Sequence, residues 1–268
     1  MTATTTLTQR QRNEAEVYDE RAIGLDAELA DADLLLDVDT IPYPNREHVE
    51  FLDHLFGIAG DLNGKRILEV GCGSGILTSF FALRGAYAVG VDVSQGMVDI
   101  AARRARINQV SDRVEFRVSP VETMDDPDGS FDFVIANQVL HHLELDQAMA
   151  NISRLLSPTG HALFAEPVWL LPSQVRQMRY SKPVLKFFPS AADTPDERPL
   201  TTDDLDAIKG HFGSCELRYH QLTTRTQNFR HLSDTTFRRL EQFDRGLLKL
   251  PFASRAARYV SLSLSPNQ

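Results

Sequence analysis

Three glycines, a pair of histidines and a few carboxylates are the residues of this chain whose types and spacing could do chemistry. Gly71, Gly73 and Gly75 alternate with other residues in the second half of Leu68-Glu69-Val70-Gly71-Cys72-Gly73-Ser74-Gly75. Arg66 to Val70 before them reads as a short apolar strand, and Ile76 to Leu83 after them reads as a helix. A glycine turn between strand and helix bends sharply and lets a ligand approach the backbone where a Cβ would otherwise stand. The spacing departs from the dinucleotide fingerprint, whose third glycine follows three places after the second. A second apolar strand, Ala88 to Asp92, ends in a carboxylate 21 residues after Gly71. An acid at about that distance, roughly 20 residues, is placed to accept hydrogen bonds from both hydroxyls of a ribose. Ser94 supplies the N-cap for the next helix, Gln95 to Ile107, which leaves Asp92 free for a ligand.

His141, His142 and Glu166 are candidates for proton transfer because each follows an apolar strand. Ligands of open α/β sheets bind at the carboxyl ends of strands. A histidine titrates near neutral pH and so suits a general base, or it can cap the loop and pack against a ligand. Glu166 can hold a cationic substrate or anchor its own loop.

These residues need a frame, and the chain supplies one. Strand patterns at Val114 to Val118, Ser130 to Ala136 and His161 to Ala165 alternate with a helix at Gln147 to Leu156, which Ser157-Pro158-Thr159-Gly160 should stop. Thr202 should cap a helix to about Phe212, with Asp203 and Asp204 in its first turn. Cys215 to Leu222 and Ala257 to Leu264 read as late strands. Between them Phe237, Leu240, Phe243, Leu247 and Leu248 mark an apolar helix face. Alternating strands and helices predict an α/β fold, a parallel sheet covered on both faces.

The glycine turn, the acid after the second strand, Phe131-Asp132 and Leu140-His141-His142-Leu143 around the fourth, and Ser157-Pro158-Thr159-Gly160 before the fifth stand in one order. In that order and spacing they resemble the class I S-adenosylmethionine-dependent methyltransferases, over about residues 60 to 167. The resemblance implies a Rossmann-like seven-stranded sheet of order 3-2-1-4-5-7-6, mostly parallel with one antiparallel strand. It implies S-adenosylmethionine as methyl donor and S-adenosylhomocysteine as product. Carried onto this sequence, it assigns the cofactor to Glu69, Gly71, Cys72, Gly73, Gly75, Asp92, Val93, Met97, Val121, Glu122, Asn137 and Gln138. One position departs from the family: Pro120 stands where an Asp usually binds the adenine amino group. Ser119, the Val121 backbone and Glu122 are the substitutes at hand, since Pro offers neither a carboxylate nor an N–H.

A sulfonium methyl is already activated, so the protein's part is to hold a nucleophile in line and exclude water. A base is needed only for a nucleophile that starts protonated. The Asn-Pro-Pro-aromatic signature of methylation on base nitrogens is absent, and Glu166-Pro167 does not supply the ligand set of the metal-dependent catechol type, so no metal is expected. Residues 1–60 are expected to form a helical lid, Gln9 to Arg21 and Asn45 to Phe56, with Tyr18 and Tyr43 near the sulfonium. Residues 61–167 form the cofactor-binding core. Residues 168–268 add an acceptor-binding insertion, with Trp169 and Tyr180 as its aromatic wall, and the last strands.

Net charge is −9, which argues against a general nucleic-acid binder. Residues 1–167 carry 13 basic and 27 acidic groups, and 168–268 carry 15 and 10. No apolar run reaches membrane-spanning length, the first residues lack a secretory pattern, and two separated cysteines suit a reducing cytoplasm. The expected protein is a cytoplasmic methyltransferase for a small lipophilic or aromatic metabolite, with a homo-oligomer possible. A protein or tRNA methyltransferase and a non-catalytic binder of the same cofactor are the alternatives.

Overall fold

The computed structural model describes residues 7–40, 42, 46–172, 198–224 and 233–267. Its frame is a seven-stranded sheet of order β3-β2-β1-β4-β5-β7-β6. The strands are β1 (Arg66–Val70), β2 (Tyr87–Asp92), β3 (Val114–Val118), β4 (Phe131–Asn137), β5 (Leu156–Pro167), β6 (Ser214–His220) and β7 (Tyr259–Ser265). β1 to β5 pair in parallel, and β7 runs antiparallel to both β5 and β6. The helices are α1 (Gln9–Glu28), α2 (Asp31–Leu34), α3 (Arg46–Ala59), α4 (Ile76–Leu83), α5 (Gln95–Ile107), α6 (Leu145–Leu155), α7 (Thr202–Gly210), α8 (Asp234–Leu247) and α9 (Pro251–Ser254).

The two-residue period of the strands divides the core between the faces. Ile67, Phe133, Ile135 and Leu163 pack with Leu52 and Leu55 of α3 and Leu77, Phe80 and Phe81 of α4. Leu68, Val70, Val134, Ala136 and Phe164 pack on the other face with Met149 and Ile152 of α6 and Leu205 and Ile208 of α7. Strands buried on both faces read as continuous apolar runs, which is why β1 and β4 were legible. Each such Leu or Phe contributes about 1.5–3 kcal/mol on burial, enough to hold the strand ends as a fixed platform. Strand order reverses between β1 and β4, so a crevice opens at their carboxyl ends.

Several boundaries differ from expectation, each for a local reason. β5 begins at Leu156, not His161. Phe131 pairs with Leu156 and Phe133 with His161, so Ser157 to Gly160 bulge out of the ladder rather than ending the helix before it. The cap of α7 is Thr201, not Thr202: its hydroxyl accepts from the Asp204 N–H while Asp204 accepts from the Thr201 N–H. Thr8 makes the same box with Gln11, and α1 continues past Arg21 to Glu28. On α8, Phe243 points outward, and Asp244 is buried in its stead. The Asp244 carboxylate accepts from the N–H groups of Leu222, Thr223 and Thr224, so a polar anchor displaced an apolar contact.

Candidate active site

The crevice at the ends of β1, β2 and β4 widens into a cavity of about 970 Å³, its open mouth included. Gly71 turns the chain out of β1 at φ +68°, and a Cβ there would stand 2.1 Å from Cγ2 of Val139. That position is fixed by packing. Gly73 is different: it lines the cavity at φ +49°, and a Cβ on it would meet nothing within 4 Å. Its missing side chain is therefore open space on the cavity side, the condition for close approach by a ligand. Gly75 packs against Ala101 of α5 and Phe116 of β3, beneath the turn.

Asp92 ends β2 in the same wall. Its Oδ2 accepts from the Gly73 N–H at 2.8 Å and its Oδ1 from the Ser94 N–H at 2.9 Å. Burial pushes the Asp92 carboxyl above the usual range, and those two N–H groups with that of Val93 oppose the shift. Ser94 caps α5 through the Met97 N–H, as the sequence implied. Val93, Val121, Glu122, Asn137 and Gln138 also line the cavity. Two of their oxygens, Asn137 Oδ1 and Glu122 Oε2, are buried and make no hydrogen bond. Buried acceptors of that kind call for a donor from elsewhere. The other Glu122 oxygen accepts from the Glu144 N–H. Pro120 and Ser119 face the cavity beside them.

The three proton-transfer candidates separate. Glu166 is fully buried, and its Oε1 accepts from the N–H groups of Val139 and Leu140, both at 2.8 Å. Its Oε2 lies 2.7 Å from Nδ1 of the buried His141. Neither Glu166 nor His141 lines the cavity, and their contacts hold the turn after β4. Gln138 in that turn adopts φ +56°, which costs energy for a residue with a side chain and persists where surroundings over-determine it. His142 does line the cavity, its ring 4.1 Å from that of His141 between centroids.

Helix α1 roofs the site. Arg10 donates to the carbonyls of His141 and Leu143, and Asp19 accepts from Ser94 Oγ and the Gly96 N–H. Between these anchors Gln11, Glu14 and Tyr18 face the cavity. Tyr18 was expected there, but Gln11 and Glu14 were not singled out in the sequence. Their signal was a polar stripe at spacings of three and four on a helix with little apolar face.

The remaining assignments fall elsewhere. Glu69, by the alternation of β1, sits on the α4 face, where it accepts a hydrogen bond from the Thr78 hydroxyl. Cys72 and Met97 are buried, Met97 against Ala22 and Leu34. These three stand behind the cavity wall rather than in it. Trp169 lies just past β5, its backbone N–H donating to Leu200 O, and does not line the cavity. Tyr43 and Tyr180 lie outside the described residues. Among the described residues no cluster could hold a metal ion, and no helix is long and apolar enough to cross a membrane.

Glu69 carries a test of its own. Burial pushes its carboxyl from 4.5 up to about 8, against the Thr78 hydrogen bonds and with the help of nearby Asp92. The folded chain therefore keeps a proton that the unfolded chain releases. Stability is full below about pH 4.5 and declines as pH rises to about 8, by on the order of a few kcal/mol. Glu69→Gln is expected to flatten that decline in urea titrations run across this range. An unchanged slope would place the pH dependence elsewhere.

Residues 68–164 match the model of a methyltransferase domain. Ubiquinone biosynthesis O-methyltransferases of Acinetobacter baylyi and Alkalilimnicola ehrlichii are 34% and 36% identical over 109 and 116 residues, covering 40% and 42% of this chain. The chain spans 45% and 46% of their lengths, less than half of each. The solved structure of geranyl diphosphate C-methyltransferase from Streptomyces coelicolor A3(2) aligns over 98% of this chain and 100% of its own, with TM-score 0.61 and 16% identity. That likeness is one of fold. The domain match, the matching relatives and the sheet order make residues 68–164 similar to the methyltransferase domain of those enzymes, set in a sheet of the same order as the resemblance implied.

Proposed function

We propose that the chain transfers the methyl group of S-adenosylmethionine to a small, lipophilic or aromatic metabolite. One observation carries the reading: the open-backed Gly73, the desolvated Asp92 carboxylate and His142 line a single cavity. The residues fit the cofactor. Asp92 offers an acceptor to the ribose hydroxyls, and the orphaned Asn137 and Glu122 oxygens await donors such as an amino group. Glu122 is our choice for the adenine amino group, given Pro120 beside it. Tyr18 lines the same cavity, with the Arg21 guanidinium 4.9 Å from the centre of its ring. When bound, S-adenosylmethionine supplies an activated methyl, so the chain's work is to orient the acceptor, exclude water and take any proton.

In this reading residues 1–60 act as the lid, 61–167 as the cofactor core, and 168–268 complete the sheet and contribute to acceptor binding. The names of the curated relatives, O-methyltransferases of ubiquinone biosynthesis, support a small-molecule acceptor. The acidic balance speaks against a nucleic-acid partner, the two separated cysteines suit a reducing cytoplasm, and a homo-oligomer is compatible with both.

The test is Gly73→Val. A branched side chain would fill the open space on the cavity side and strain the left-handed backbone. Calorimetry should find S-adenosylhomocysteine binding to the wild type, none to the variant, and no binding of NAD to either. A variant that binds S-adenosylhomocysteine as the wild type does would reduce the glycine turn to a structural corner.

A further inference from the structure

We propose that Glu14, on the roofing helix α1, is the positioning residue that makes His142 a base, so that proton transfer is assembled only when α1 is docked. The inference rests on the methyl-transfer reading and names what that site needs from its lid. Glu14 Oε1 lies 3.0 Å from His142 Nδ1, and both side chains are largely buried while lining the cavity. A carboxylate beside Nδ1 favours the tautomer that carries its proton there, which puts the basic lone pair on Nε2. Glu166 fixes His141 through the same ring atom, but behind the wall. The chain thus has two adjacent histidines with one carboxylate each, one pair holding the turn and the other facing the cavity.

The placement is not a chance of side-chain rotation. Arg10, one helical turn before Glu14, donates to the His141 and Leu143 carbonyls at 2.6 and 3.2 Å, which clamps α1 onto the segment that carries His142. Nine residues on from Arg10, Asp19 ties the helix to the start of α5. Undocking α1 would remove the roof and the carboxylate together.

The acceptor suited to such a base is a hydroxyl. His142 Nε2 takes the hydroxyl proton while the oxygen forms its bond to the methyl carbon. The carbon–sulfur bond breaks with its electron pair left on sulfur, giving a methyl ether and a neutral thioether. The resulting imidazolium sits beside the Glu14 carboxylate, which stabilises it. The other ionisable groups around His142 are its neighbour His141, with Glu166 behind it, Arg10 on the carbonyls of His141 and Leu143, and Tyr18, Glu122 and Asp92, which line the same cavity.

Long-range nitrogen NMR of the histidine rings in the full chain, with His142 assigned by difference against His142→Gln, reads the inference without an acceptor. In the wild type the neutral His142 should carry its proton on Nδ1. In Glu14→Gln the population should move toward Nε2–H, because the carboxylate that holds the proton on Nδ1 is gone. Gln11→Ala, on the same face of α1, should leave the tautomer population in place. An unchanged His142 in Glu14→Gln overturns the proposal, and so does an equal shift in Gln11→Ala, which would trace the effect to helix docking alone. Titrating S-adenosylhomocysteine into the same wild-type sample keeps the two readings apart. If it does not bind while Glu14 still controls His142, the methyl-transfer reading falls and the pairing stands.

Discussion

Asp92→Ala is expected to lower S-adenosylmethionine affinity by roughly 30- to 1,000-fold, the equivalent of about 2–4 kcal/mol for two charge-assisted hydrogen bonds. The carboxylate is already desolvated, as the upward push on its pKa records, so a ribose that binds it has little water left to displace. Its two oxygens are held by the N–H groups of Gly73 and Ser94, one from the glycine turn and one from the cap of α5. The side chain is therefore aimed before any ligand arrives, and orientation costs nothing at binding. Alanine removes the acceptor and also leaves those two N–H groups without it. Asp92→Asn separates the two effects: it keeps an acceptor oxygen for the backbone but loses the charge, and should fall between. Calorimetry showing less than a threefold change for Asp92→Ala would remove the ribose assignment.

What the sequence revealed was what local rules govern. β1, α4, α5 and β3 begin and end where their residues change character, because apolar runs, a Ser94 cap and glycine corners act within a few positions. Glu69 shows the limit of that reading. It stands two places before the glycine turn, yet the strand's alternation turns it toward Thr78 of α4, and only the assembled sheet reveals what lies on that side. Phe243 and Asp244 show the same thing in α8, where the backbone N–H groups of a distant turn decided which of two neighbours went inside. The bulge at Ser157 to Gly160 depends on pairing with β4, 26 residues away at Phe131, which no local pattern encodes.

The candidate site was legible where it is built from one stretch of chain and hidden where two stretches meet. Gly73 and Asp92 belong to the first kind. Glu14 belongs to the second: on the sequence it is one acid in a polar helix, and it gains meaning only from the Arg10 clamp that brings it to His142. The histidine pair was visible as a pair, but the sequence gives no sign that one faces the cavity and the other faces Glu166. Chain alternation through a short turn decides that, and the turn's shape is set by the carboxylate behind it.

That carboxylate sets up the second large effect, which is on stability. Glu166→Ala is expected to cost about 3–5 kcal/mol of unfolding free energy, because it removes a buried carboxylate that accepts three hydrogen bonds. Two backbone N–H groups, of Val139 and Leu140, and the ring nitrogen of His141 would lose their common acceptor in a place water does not reach. Each buried group left unsatisfied costs about 1–3 kcal/mol, and Gln138, held at φ +56° in the same turn, would lose the contacts that keep it there. Glu166→Gln keeps an oxygen for the two N–H groups and presents an amide to Nδ1, which the opposite tautomer of His141 can accept, so it should recover most of the loss. A base at Glu166 would behave in the opposite way: glutamine would abolish turnover while alanine left the fold largely intact. Urea unfolding of the two variants decides between a role in the turn and a role in the chemistry. An alanine variant within about 1 kcal/mol of the wild type would mean that the turn stands without Glu166, and would return this carboxylate to the list of groups available for proton transfer.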